Sequence, residues 1–217
     1  MREKYATLAG ISFALAACAG GEASVSIASK DGPSLSFWTS GAGNSPASAV
    51  FTEGYQYASF GYWDSPTDIN KDGVAKRDFV VTPSAANKMP DNVRPSIGIW
   101  TFEGKAIGQL EYNGVRKNMD GTAQVTIGAP SYGYGITLNF ADFTWAILDG
   151  EVEYTNHAAV RHFGEDGRKN ATEWETSFLW ALYGAGARPT TAVGTFEIRD
   201  PEGSASFKSS WGAKIKP

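Results

Sequence analysis

Apolar and polar positions alternate with a period of two along much of the chain, and a helical period is weak throughout. Tyr132, Tyr134, Ile136, Leu138 and Phe140 fall on one face of an extended segment, and Ser131, Gly133, Gly135, Thr137 and Asn139 on the other. That is the pattern of a half-buried strand. Similar runs at 97–102, 106–112, 122–127, 143–148 continuing to 154, 173–182, 191–198 and 205–215 predict further strands. Turn signals separate them: Glu103-Gly104, Asn113-Gly114, Asp120-Gly121, Ala141-Asp142, Asp149-Gly150, Asp166-Gly167 and Pro201-Glu202-Gly203. Together they make about eight antiparallel strands, the number at which a closed barrel is just filled by side chains or holds one small ligand. The barrel is placed at residues 95–217. Before it, at 33–94, strand candidates at 35–39, 49–53, 55–63 and 78–82 lie between loops rich in Gly, Pro, Asn and Asp. A segment of that size struggles to bury a core of its own, so it is expected to pack on the barrel. The predicted fold is all-β: a C-terminal eight-stranded antiparallel β-barrel preceded by a small β-rich domain.

Composition narrows this picture. The 217 residues are 13% aromatic and 19% charged, with 25 Gly and 7 Trp. Aromatic side chains each bury roughly 150–250 Å² and need a core, which argues against disorder. A net charge of −4 with no basic concentration excludes a nucleic-acid partner, whose phosphates demand Lys and Arg. The one cysteine excludes an intrachain disulfide and a multi-thiolate metal site.

That cysteine sits at the end of an address. Arg2 and Lys4 precede an apolar and small-residue run from Tyr5 to Ala17, the layout of a secretory signal, here assigned to 1–17. About 20 apolar residues are needed to cross a bilayer, and this run is shorter and broken by Thr7, Gly10 and Ser12. Leu15-Ala16-Ala17-Cys18 resembles the bacterial lipobox, which makes Cys18 the expected lipidation site and the chain a membrane-anchored lipoprotein. The plain alternative is an ordinary signal with an incidental cysteine. Residues 18–32, rich in Gly, Ser and Ala, read as a flexible tether.

Several motifs, taken in order, resemble the transferrin-binding protein B family of surface lipoproteins. Trp100-Thr-Phe-Glu-Gly-Lys-Ala-Ile-Gly108 followed by Asp120-Gly-Thr-Ala-Gln-Val-Thr-Ile127 is similar to the opening of that family's barrel. Gly135-Ile-Thr-Leu-Asn-Phe140 matches the next strand. Tyr183-Gly-Ala-Gly-Ala-Arg188 with Ala192-Val-Gly-Thr-Phe196 resembles its tyrosine-glycine loop and the strand after it. Ala205-Ser-Phe207 through Trp211-Gly-Ala-Lys214 resembles the terminal strand, with Trp211 where Phe is usual. The likeness covers about 100–217 well and 33–94 more loosely, through Tyr57-Ala-Ser-Phe-Gly-Tyr-Trp63. It implies a lobe in which a handle domain precedes an eight-stranded barrel, on a non-enzymatic outer-membrane lipoprotein displayed at the cell surface. Two such lobes in tandem capture iron-loaded transferrin, and single-lobe relatives include lipoproteins for other host proteins and secreted haem-binding hemophores. A ligand captured for iron acquisition, haem or a host iron-carrying protein, is therefore expected. The alternatives are a colonisation or adhesion lipoprotein that binds a protein partner without iron, and a calycin-like lipid carrier.

Candidate chemistry is sparse. Asp68-Ile-Asn-Lys-Asp-Gly73 begins like a calcium loop, but Phe79 stands where the bidentate Glu belongs, so an Asx-rich turn is expected instead. His157 and His162, the two histidines, are candidate haem ligands on a loop at a barrel mouth, against the plain reading that both are solvated. Tyr57, Tyr62 and Trp63, with Tyr55 and Phe60, form an aromatic cluster of which one set packs on the barrel and the other is available to a partner. No G-x-S-x-G elbow, H-E-x-x-H pair or phosphate loop is present.

Overall fold

Extended alternation becomes strand almost everywhere in the computed structural model, which describes residues 25–27, 35–39, 50–55, 57–83, 87–149, 151–156, 159–163, 168–169 and 172–217. Strands β1 (Val25–Ile27), β2 (Leu35–Thr39), β3 (Val50–Gly54), β4 (Ala58–Ile69) and β5 (Ala75–Pro83) form one antiparallel sheet in the order β1-β2-β5-β4-β3. The second sheet is built from β6 (Ile99–Tyr112), β7 (Val115–Gly128), β8 (Tyr134–Phe140), β9 (Phe143–Leu148), β10 (Glu151–Asn156) and β11 (Ala159–Phe163). A two-stranded pair, β12 (Arg168–Lys169) and β13 (Thr172–Glu173), follows. The second sheet is completed by β14 (Glu175–Tyr183), β15 (Thr191–Arg199) and β16 (Ala205–Ile215), in the order β11-β10-β9-β8-β7-β6-β16-β15-β14.

The all-β reading holds, with a different strand count. The two runs expected at 97–102 and 106–112 are one strand, β6, and the run from 143 to 154 is two, turning at Asp149. With β11 added, the sheet has nine strands. The expected turns at Glu103-Gly104 and Asp120-Gly121 are strand interiors. Glycine is needed at both for close approach: a Cβ on Gly104 would run into the Gly212 carbonyl of β16, and one on Gly121 into the Asn139 carbonyl of β8. Asn113-Gly114 is a true hairpin turn, both residues having positive φ (49° and 74°).

No ladder joins β11 to β14 among the described residues, yet the sheet curls until distant strands meet. Tyr134 of β8 and Trp180 of β14, with four strands between them in the order, have ring centroids 5.0 Å apart. Trp145 of β9 and Phe196 of β15 are 5.1 Å apart, and Phe143 and Phe207 5.2 Å. Phe102, Val125, Ile136, Leu138, Ile147, Phe196, Phe207 and Trp211 fill the enclosed space and are essentially inaccessible to solvent.

The five-stranded sheet lies on the outside of β6 and β14–β16. Phe60 and Val81, register partners, pack with Phe79 against Ile107, Ala181, Tyr183 and Val193. This cover explains β15, buried at nearly every position: Ala192 and Phe196 look inward, and Val193 looks onto the smaller sheet. Polar contacts fix the orientation. The Tyr55 hydroxyl donates to the Gly212 carbonyl (2.8 Å) and Ser210 Oγ to the Gly61 carbonyl (2.7 Å). At the far end, the Arg77 amide donates to Gln109 Oε1 (2.9 Å) and Gln109 Nε2 to the Ala75 carbonyl (2.8 Å).

Candidate ligand-binding end of the curled sheet

One end of the nine-stranded sheet gathers the start of β6, the end of β7, the start of β8, the end of β9 and the end of β14. The segment 87–94 crosses it, held to β14 by Met89 N–H to the Leu182 carbonyl (2.8 Å) and Gly184 N–H to the Asn87 carbonyl (3.0 Å). Pro90 then starts a tight turn closed by Val93 N–H to the Pro90 carbonyl (3.0 Å). Between this segment and the sheet lies a cleft of about 290 Å³, lined by Met89, Pro90, Asp91, Arg94, Tyr134, Trp180, Ala181 and Leu182.

Local structure fixes its walls. Asp149, at positive φ (48°), accepts the Tyr134 amide on its carboxylate (2.8 Å) and so holds the start of β8 in place. Trp180 points inward with the parity of Phe178 and Leu182 and meets the Tyr134 ring. Lys88 pairs with Asp91 (3.1 Å) on the outer lip. Arg94 donates Nη1 to the Val93 carbonyl (3.0 Å), and among the described residues its guanidinium has no carboxylate partner. Behind the cleft, Tyr183 is buried with no hydrogen bond to its hydroxyl among the described residues; burial, reinforced by the Asp91 charge, pushes its pKa up.

Beside the cleft stand four exposed apolar side chains: Ile97 (89% exposed), Ile99, Tyr132 (72%) and Leu148. Tyr132 lies in a tight turn, its N–H donating to the Ala129 carbonyl (2.8 Å), and Ala129 N–H donates to the Gly98 carbonyl (3.1 Å) between Ile97 and Ile99. Leu148 is on the outward-facing parity of β9.

The residues singled out from sequence are distributed differently. In the aromatic cluster, Tyr55 and Phe60 pack between the sheets, and Tyr57 and Tyr62 are half-buried at that junction. The Arg77 guanidinium covers the Tyr62 ring at 3.7 Å. Trp63 faces the other side of the small sheet and is 1% exposed. His157 and Cys18 lie outside the described residues. His162 is on β11 opposite Glu153, and the strand ends that flank His157, Asn156 and Ala159, are at the end of the sheet remote from the cleft. The Asp68–Gly73 loop is an Asx-rich turn: Asn70 Oδ1 accepts from the Asp72 and Val74 amides (3.0 and 2.8 Å). Asp68 is engaged by Arg116 (2.7 Å), whose hydrogen bond lowers the Asp68 pKa against the opposing effect of burial. No group of three or more His, Cys, Asp or Glu disposed to hold a metal occurs among the described residues.

Arg94, Tyr134 and Trp180 were not among the residues singled out for binding. The sequence signal for the first was Met89-Pro90-Asp-Asn-Val-Arg94-Pro95, a segment in which Pro90 and Pro95 offer no amide to a ladder and which carries a cation.

No protein-family model and no curated protein matches the sequence. Solved structures do match. Two mutant forms of the vaccine antigen transferrin-binding protein B from Haemophilus parasuis Hp5, a double and a single mutant, align over 90% and 91% of this chain with TM-scores of 0.52 and 0.51. The fold is that of transferrin-binding protein B. Sequence identity is 15% and 12%, and the chain spans 38% and 37% of the length of those two proteins. The motifs similar to transferrin-binding protein B fall on the strands that build this fold: 100–108 lies in β6, 120–127 in β7, 135–140 in β8, 192–196 in β15 and 211–214 in β16.

Proposed function

We propose that the protein is a non-enzymatic lipoprotein of the bacterial outer-membrane surface, anchored through Cys18, that binds a host iron-carrying protein at the cleft end of its nine-stranded sheet. The observation that carries this reading is the filled interior. Phe102, Phe196, Phe207 and Trp211 occupy the space a calycin-like carrier would give to a lipid, so recognition falls to the outside. There, Ile97, Ile99, Tyr132 and Leu148 form an exposed apolar rim, the kind of surface that marks an interaction site. The likeness to transferrin-binding protein B, named for transferrin, supports a host iron carrier as the partner. A cleft of about 290 Å³ is at the lower bound of small-molecule sites and too small to enclose a porphyrin, which favours a protein over haem.

The test is binding of immobilised iron-loaded transferrins from candidate hosts to the protein and to the Ile97→Asp/Tyr132→Asp variant. Binding that falls about tenfold or more in the variant at unchanged melting temperature supports the reading. Equal binding by both moves the contact elsewhere, and no binding of any iron-loaded carrier leaves adhesion without iron as the reading. The anchor is tested separately, by the mass of the mature N-terminus after expression with residues 1–17 in place: an acylated Cys18 is expected, and an unmodified one overturns it.

A further inference from the structure

The cleft beside the rim has a composition that a flat protein contact does not require. Its walls are an aromatic pair, Tyr134 and Trp180, whose rings approach to 5.0 Å, with Met89, Pro90 and Leu182 completing an apolar floor. Met89 and Leu182 are buried, so this floor is preformed by the same ladder contacts that dock 87–89 on β14. The lining carries one carboxylate and one guanidinium, Asp91 and Arg94. Asp91 is paired with Lys88 at 3.1 Å, which leaves the half-buried Arg94 as the cation of the site, with its Nε and Nη2 donors unused among the described residues. Among the described residues other arginines are matched by carboxylates, as Arg77 is by Asp64 and Arg116 by Asp68 and Glu111. A guanidinium with open donors at the lip of an apolar slot presents a planar fork matched to a carboxylate.

We infer that this cleft is a binding site for a small amphipathic carboxylate, an aromatic ring or short branched chain bearing one carboxyl group. The apolar body lies between Tyr134, Trp180 and Leu182, and the carboxylate pairs with Arg94. The volume sets the size: about 290 Å³ takes a single ring with a short side arm and excludes long acyl chains and fused macrocycles. The inference stands independently of the protein partner, since it uses none of the four rim residues.

The test uses the whole chain and 3-phenylpropionate, compared with 3-phenylpropionamide, by calorimetry and by amide chemical-shift mapping. The acid is expected to bind about tenfold tighter than the amide, as a charge-assisted hydrogen-bond pair commands, with shifts concentrated at 88–94, 134 and 180–182. In Arg94→Gln the acid is expected to lose that advantage and bind like the amide, while the melting temperature stays unchanged. Three results overturn the inference: no binding of the acid at millimolar concentration, equal binding of acid and amide by the unmodified protein, or a preference for acid that survives Arg94→Gln. Shifts that map to the rim or to the junction of the two sheets also overturn it. None of these results bears on transferrin binding, which the rim variant tests separately.

Discussion

At the residue scale, glycines and one arginine decide how the two sheets meet. Gly212 sits where Tyr55 and Phe60 press onto β16; a Cβ there would collide with the Tyr55 ring and come within 2.7 Å of Phe60 Cδ1. Gly212→Ala is therefore expected to destabilise by about 1–3 kcal/mol, the usual cost of overpacking, measured by urea denaturation. Arg116 is the corresponding clasp at the far end, its side chain 7% exposed and held by Asp68, Glu111 and the Asp68 carbonyl. Burial opposes its charge, but the hydrogen bonds it donates to Glu111 and Asp68 outweigh that and raise its pKa. Asp68, with its folded pKa lowered, contributes stability that is complete above the unfolded value near about 4 and is lost as pH falls through the folded value. Thermal melts between pH 2 and 5 should show the unmodified protein above Asp68→Asn at the upper end, with the difference vanishing at the lower end. Sequence patterns exposed part of this scale. They identified Asp68–Gly73 as a turn and missed its anchor, because Arg116 is 48 residues away and only folding brings them together.

Among the elements, periodicity proved a sound guide to strands and a poor guide to where they stop. Ile136, Leu138 and Phe140 are buried as their alternation requires, whereas Tyr132, of the same parity, is 72% exposed because β8 begins two residues later. Glycine in the sequence marks either a turn or a close approach, and the two are distinguished only by what lies opposite. Gly114 belongs to the first kind. Its φ of 74° predicts a loss of about 1–2 kcal/mol for Gly114→Ala, seen as a lower urea midpoint at unchanged slope. Gly104 and Gly121 belong to the second, and no local rule separates them from Gly114. The filled interior makes a larger demand: Phe196, inaccessible and in ring contact with Trp145 and Phe207, should cost about 3–5 kcal/mol when replaced by Ala.

On the scale of the whole molecule, the five-stranded sheet and the curled sheet share the cluster of Phe60, Phe79, Val81, Ile107, Tyr183 and Val193. Neither face of that cluster is left for water, so residues 33–94 expressed alone are expected to remain unfolded, with far-ultraviolet dichroism of a coil. In the intact protein, unfolding followed by tryptophan fluorescence and by dichroism should coincide in one transition; separated transitions would show that the sheets fold independently. The sequence by itself determined the all-β class, most strand positions, the Asn113-Gly114 hairpin and the likeness to transferrin-binding protein B, since alternation and turn chemistry act over a few residues. Tertiary structure alone decided the nine-strand order, the burial of Trp63 and the assembly of Met89, Arg94, Tyr134 and Trp180 into one cleft. These depend on curvature that brings β8 against β14, five strands away in the sheet and about fifty residues away in the chain, and nothing in a local pattern specifies curvature.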